Sequence, residues 1–246
     1  MQDNTNKVAI VTGASRGIGA AIAERLAADG FTVVVNYAGR AADAEALVAK
    51  IEASGGKAIA AQADVSDAAS VVRMFDAAQA AFGGIDVLVN NAGIMKLASL
   101  AESDDALFDS QIAINLKGVF NTLREAAKRL REGGRIINLS SSVVGLRPAT
   151  YGVYAATKAG VEAMTHVLTK ELRGRNITVN AIAPGPTATA LFLDGKPQAA
   201  IDALAKAAPL ERLGQPEDIA GAVAFLAGPD GAWINGQVLR ANGGII

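Results

Sequence analysis

Cysteine is absent from the 246 residues, and histidine occurs once, at His166. The first absence excludes a disulfide framework, a thiolate nucleophile and any cysteine-ligated metal. The second excludes a cluster of histidine ligands, so no resident metal is expected. An excess of charge of one sign is also lacking: 23 Lys and Arg against 24 Asp and Glu leave a net charge of −1. That balance offers no electrostatic case for nucleic acid or an anionic membrane surface. No apolar run reaches the roughly 18–20 residues of a membrane span. Residues 1–7 contain no basic stretch followed by a long apolar one, so they do not read as a signal peptide. The expectation is a soluble, cytoplasmic protein whose first six residues form a flexible tail. Aromatics make up only 4% of a chain that is 51% apolar. Its core must therefore be built from small aliphatics, much of it alanine, which helices tolerate well and which lets them sit close on strands.

What is present is an alternation of short β-branched runs with longer alanine-rich segments of helical period. Strands are predicted at 7–12, 32–37, 58–63, 87–90, 135–140, 178–182 and 237–240, and helices at 17–29, 41–54, 68–82, 104–130, 154–173 and 216–227. Strands without polar alternation imply burial on both faces, hence a parallel sheet covered by helices. The regular β-α order implies right-handed crossovers and a doubly wound, Rossmann-like α/β sheet of about seven strands in one domain spanning 1–246. One stretch, 184–209, breaks the pattern with four prolines and two glycines. A long insertion of that kind in a compact domain reads as a lid or binding loop, and 186–209 is the predicted substrate lid.

Directly after the first strand comes Gly13-x-x-x-Gly17-x-Gly19, opening the first helix. Glycine permits left-handed backbone and close approach. The helix amino terminus offers unpaired N–H groups to a pyrophosphate. Gly13, Ser15, Arg16, Gly17, Ile18 and Gly19 are the turn residues expected around it. The second strand ends Asn36-Tyr37-Ala38-Gly39-Arg40 without the carboxylate that NAD sites place on the ribose hydroxyls. Arg16 and Arg40 could instead face a 2′-phosphate, which arginine grips with two hydrogen bonds. The cofactor expected is NADP(H), with Asn36, Tyr37, Ala38 and Arg40 beside its adenosine.

Tyr154 and Lys158 stand four residues apart, so on a helix they share a face. A free tyrosine titrates near pH ~10. A neighbouring ammonium and a cationic nicotinamide would lower that value and make the phenol a usable acid or base. Tyr151 has no such partner, its i+4 residue being Ala155. Upstream, the strand 135–140 ends in Ser140, Ser141 and Ser142, one of which could hydrogen-bond a substrate oxygen.

Together these clusters resemble the short-chain dehydrogenase/reductase family over essentially the whole chain. Within it the chain is similar to NADP-preferring members such as 3-oxoacyl-carrier-protein reductases. The resemblance implies that Tyr154 and Lys158 are the catalytic pair. It implies that the serine thirteen residues before the tyrosine, Ser141, is the catalytic one, with Ser142 the alternative. Asn115, in the run Ile112-Ala-Ile-Asn-Leu116, would hold a proton-relay water. Asn91, Ala92 and Gly93 would lie beside the cofactor's adenine ribose, and Asp64 and Val65 at its adenine. Pro184, Gly185, Thr187 and Thr189 would close over the nicotinamide, while Lys158 would hold its ribose. The resemblance also implies a homodimer or homotetramer paired through the helices at 104–130 and 154–173. Ile94, Met95, Val143, Leu146, Tyr151, Leu191 and Phe192 would line the substrate site, favouring a hydrophobic carbonyl. The leading reading is a carbonyl reductase, reversible to an alcohol dehydrogenase. A 3-oxoacyl-carrier-protein reductase is its near alternative, and a non-catalytic NADP-binding sensor the alternative of another class.

Overall fold

The structure, a computed structural model, describes residues 7–246; the expected tail 1–6 lies outside the described residues. Seven strands form one wholly parallel sheet in the order β3-β2-β1-β4-β5-β6-β7. They are β1 (Val8–Val11), β2 (Thr32–Tyr37), β3 (Lys57–Gln62), β4 (Ile85–Asn90), β5 (Leu130–Leu139), β6 (Thr178–Pro184) and β7 (Val238–Ala241). Helices α1 (Gly17–Ala28), α2 (Ala41–Ala53) and α10 (Pro216–Ala227) belong to one face of the sheet. On the other are α3 (Ala68–Phe82), α5 (Gly118–Arg129) and α7 (Gly152–Glu171).

The strands read as unbroken apolar runs because each serves two cores at once. Alternate side chains leave a strand on opposite faces. Ala9, Val11, Val33 and Val35 therefore pack with Ile22 and Leu26 of α1, Leu47 of α2 and Val223 of α10. Their neighbours Val8, Ile10 and Val34 pack with Met74 and Phe75 of α3, Leu123 of α5 and Val161 of α7. The first-built half runs outward from β1 through β2 to β3, and the second starts on the other side of β1 at β4. Order reverses between β1 and β4, and the crevice beyond their carboxyl ends is where such sheets take ligands.

Two expectations change. The predicted helix at 104–130 is divided into α4 (Asp105–Gln111), a π-helical turn (Ile112–Lys117) and α5. The Gly118 N–H donates to the Ala113 carbonyl, five residues back. One residue too many per turn leaves no signature in the hydrophobic period, and such turns are frequent at functional sites. The second change concerns 184–209, which is less irregular than its prolines suggest. It holds α8 (Ala190–Leu193) and α9 (Gln198–Ala207), the first capped by the Thr189 hydroxyl accepting from Phe192 N at 3.3 Å. A short α6 (Val143–Leu146) follows the serine run. Among the described residues no helix is long and apolar enough to cross a membrane.

Candidate active site

The turn from β1 into α1 is held by buried and half-buried polar side chains. Thr12 Oγ donates to the Val89 carbonyl at 3.3 Å and accepts from Asn91 N and Ala92 N at 2.9 and 3.0 Å. Asn36 accepts from Gly13 N at 3.1 Å and donates to the carbonyls of Ala61 and Ala63. Asn91 donates to the carbonyls of Thr12 and Gly13 at 2.9 and 3.1 Å. The carboxyl ends of four strands, β1 to β4, are thereby tied together. Gly13 (φ 60°) and Gly17 (φ 56°) take left-handed backbone there. A Cβ on Gly19 would sit 2.5 Å from the Gly13 carbonyl oxygen and from Asn91 Nδ2.

The result is a cleft of about 420 Å³ over the turn, floored by Gly13, Ser15, Gly17, Ile18 and Gly19. Arg16, Asn36, Ala38 and Arg40 line one end, with Asp64 and Val65, while Asn91, Ala92 and Gly93 line the side. Tyr37 is the exception among the expected cofactor residues. It does not line the cleft, and its ring packs against the core on the α1–α2 face. Arg16 is exposed and makes no ion pair among the described residues; Arg40 is exposed and pairs with Asp43 at 3.1 Å. Asp64 accepts from Ser66 N and Oγ, which shapes the loop after β3. The Val65 carbonyl is held by Asn121 of α5 at 2.9 Å, a contact that no motif announces. A cleft floored by glycines, with backbone N–H groups at a helix start and cations at one end, fits a phosphorylated dinucleotide.

At Ile18, Asn91, Gly93, Ile94, Thr189 and Leu191 this cleft runs into a second recess of about 600 Å³. Here the three serines separate. Ser140 donates to Glu162 Oε1 at 2.6 Å, and buried Ser142 donates to the Ala183 carbonyl at 3.2 Å. All three line the recess, but only Ser141 acts on Tyr154, lowering its pKa through a hydrogen bond. Tyr154 and Lys158 both line the recess, the Lys158 Nζ 5.7 Å from the centre of the Tyr154 ring. Pro184, Gly185, Thr187 and Thr189 line it too. All seven residues expected to face the substrate, from Ile94 to Phe192, line it as well, joined by Pro148, Leu204, Ala207 and Ile245. Asn115 is fully buried behind them: its side chain accepts from Ile94 N at 2.8 Å and donates to the Ile94 carbonyl and to Thr157 Oγ.

In the chain by itself, burial dominates the electrostatics of this pair. Removal from water pushes the Tyr154 pKa up to about 12; the Ser141 hydrogen bond opposes this and Tyr151, edge-on at 6.4 Å, reinforces it. Lys158 donates to the Leu139 carbonyl at 2.8 Å and is itself lowered to about 8 by burial. Burial disfavours whichever form is charged, and in both groups it outweighs the local partners. No group of three or more side chains able to hold a metal ion occurs among the described residues.

A doubly wound sheet whose phosphate turn opens on a paired phenol and ammonium defines a dinucleotide-dependent oxidoreductase. Comparison with known proteins agrees. A family model described as Enoyl-(Acyl carrier protein) reductase matches residues 13–246. A short-chain type dehydrogenase/reductase of Picea abies is 48% identical, over 97% of this chain and 92% of its own. An NADPH-dependent aldehyde reductase-like protein, chloroplastic, of Arabidopsis thaliana is 44% identical, over 98% and 94%. The crystal structure of a short-chain dehydrogenase from Burkholderia cenocepacia J2315 in complex with NADP superposes with a TM-score of 0.94 at 42% identity, covering 99% of each chain. The chain belongs to the short-chain dehydrogenase/reductase family.

Proposed function

We propose that the protein is an NADPH-dependent reductase of ketones and aldehydes, able to run in reverse as an alcohol dehydrogenase. The observation that carries this is the junction of the two recesses, which opens the phosphate cleft directly onto Ser141, Tyr154 and Lys158. The cofactor is NADP(H), bound by the turn 13–19 with Arg16 and Arg40 at its 2′-phosphate, Asp64 and Val65 at the adenine, and Asn91–Gly93 alongside. When bound it supplies hydride to the carbonyl carbon. Tyr154, whose high pKa keeps the phenol protonated at neutral pH, donates its proton to the oxygen as charge develops there. Ser141 orients the same oxygen and stabilises that charge. Lys158 holds the nicotinamide ribose, and Pro184, Gly185, Thr187 and Thr189 close over the ring. Since the Asn115 carboxamide is committed to Ile94 and Thr157, a relay water would rest on the main chain of the π turn. Residues 186–209 act as the lid, and the enzyme works in the cytoplasm as a homodimer or homotetramer.

The acyl-carrier alternative needs a basic docking surface. The candidate cations at the end of α5 are instead gathered on their own acids. Arg124, Lys128 and Arg129 surround Glu125 at 3.9, 3.1 and 3.0 Å, and Arg131 pairs with Asp86. A non-catalytic sensor would have no use for Ser141 and Tyr154 joined in one recess. Fluorescence titration with NADPH and NADH tests the reading first. NADPH should bind tighter, and Arg16→Ala or Arg40→Ala should narrow the gap by about ten- to a hundredfold, the worth of charge-assisted hydrogen bonds. Tyr154→Phe should keep that binding while reducing carbonyl turnover by roughly 10²- to 10⁴-fold. Equal affinity for NADH would refute the cofactor assignment, and full turnover in Tyr154→Phe the acid.

A further inference from the structure

The last five residues fold back from β7 and become part of the substrate recess. Asn242, at the exit of β7, organises the turn. Its Oδ1 accepts from Gly244 N at 3.0 Å, its Nδ2 donates to Ser142 Oγ at 3.1 Å, and its carbonyl accepts from Ile245 N at 3.4 Å. Gly243 and Gly244 follow in left-handed backbone, φ 66° and 86°, which side chains other than glycine rarely adopt. Space is also short: a Cβ on Gly244 would stand 3.2 Å from Pro209, and one on Gly243 3.3 Å from Ala208. The tail is therefore pressed against the chain that leaves α9, and Leu210 N donates to the Gly243 carbonyl at 3.3 Å. At the far end Ile246 sits on Gly145 of α6, where a Cβ would come within 2.5 Å of its Cδ1. Ile245, between these anchors, lines the recess.

The recess joins Ser141, Tyr154 and Lys158 to an apolar lining that includes Ile245, Leu146, Pro148, Leu204 and Ala207. We infer that Ile245 is a specificity-determining residue, the end wall that limits the length of the apolar group attached to the substrate carbonyl, and that the substrates are uncharged aldehydes or ketones bearing an alkyl or aryl chain. The inference rests on the carbonyl-reductase reading. Seating such a chain gains about fourfold in affinity per methylene, the equivalent of ~0.8 kcal/mol, until the wall is met.

The test is binding and turnover with straight-chain compounds of four to ten carbons, on NADP(H)-loaded protein. Affinities of the primary alcohols are measured by calorimetry and turnover of the matching aldehydes by NADPH consumption. In the parent chain affinity should climb about fourfold per carbon and then level off. Ile245→Ala, which removes three carbons, should move that limit two to three carbons longer and leave the affinity for NADPH unchanged. Gly145→Val, which dislodges Ile246 from its seat, should move it in the same direction. An unmoved limit in both variants, or no binding of the series by the parent, would overturn the wall. A moved limit in alcohol binding without turnover of any aldehyde would keep the wall and reject the reductase reading.

Discussion

Ser140, Ser141 and Ser142 are chemically identical, and the backbone alone decides their fates. Successive residues leaving β5 point in different directions, so Glu162 takes one hydroxyl, the Ala183 carbonyl another, and only the middle one meets Tyr154. Burial then sets the proton affinities. The folded chain releases the Lys158 proton near pH 8, whereas an unfolded lysine holds it to about 10.5. Between those values the unfolded state binds more protons, so stability rises with pH through that window. The shift amounts to a cost on the order of 3 kcal/mol at neutral pH, relieved as the ammonium is lost. Tyr154 acts in the opposite sense above pH 10, where the folded phenol keeps a proton that the unfolded one loses, and stability falls toward about 12. Urea unfolding between pH 7.5 and ~10 should therefore show the parent chain gaining on Lys158→Met as pH rises. A stability difference that stays constant across that range would contradict the burial of a charged lysine.

Among the elements, the β1–α1 turn shows how one substitution can change sign with its surroundings. Gly19 has no left-handed backbone to defend, yet its added methyl would meet backbone atoms of Gly13 and Ala14 at 2.5 and 2.9 Å. Backbone cannot yield as a side chain does. Gly19→Ala should therefore lose about 1–3 kcal/mol of stability and weaken NADPH binding with it. Gly221, in the middle of α10, finds only the end of the Arg25 side chain at 3.8 Å. There the same change should gain up to about 1 kcal/mol from helix propensity. Thermal unfolding of the two variants decides, and equal effects of one sign would show that the crowding around Gly19 has no consequence. Both glycines stand in the sequence alike; only one belongs to a spaced motif, and that spacing is why the turn was legible. The buried strands were legible for a similar reason, since an unbroken β-branched run has few other uses. The π turn was hidden because Ile112–Lys117 shifts the hydrogen-bond register without disturbing the apolar pattern. Helices α8 and α9 were masked by Pro184, Pro186 and Pro197, which sit before their first turns rather than inside them. Thr12, Asn121 and Thr157 escaped notice as single polar residues whose partners are backbone groups or one buried amide distant in sequence. Tyr37, next to cleft-lining Asn36 and Ala38 in sequence, packs against the core, a direction that the sequence does not announce.

At the scale of the whole molecule, the sheet leaves one helical face incompletely covered. On α7 the row Ala155, Ala159, Ala163 and Val167 repeats every four residues and therefore forms one stripe. Ala155 is half-buried, Ala159 and Ala163 are exposed, and Val167 is 55% exposed, so the stripe is not packed on the chain's own sheet. Beside it α4 and α5 carry Phe108 and Phe120, each about half exposed. A helix lined with small side chains lets another helix approach closely, to roughly 8–10 Å between axes. A second copy presenting the same face would satisfy both at once, because a two-fold axis pairs a surface with itself. Light scattering should then report two or four times 25.0 kDa for the parent chain. Ala159 in this row is best probed by a long charged side chain: Ala159→Arg should shift the mass toward 25.0 kDa while NADPH still binds, because the substituted residue lies outside the cleft lining. A parent chain that is monomeric at every concentration would remove the pairing, and would leave the exposed stripe on α7 without an occupant.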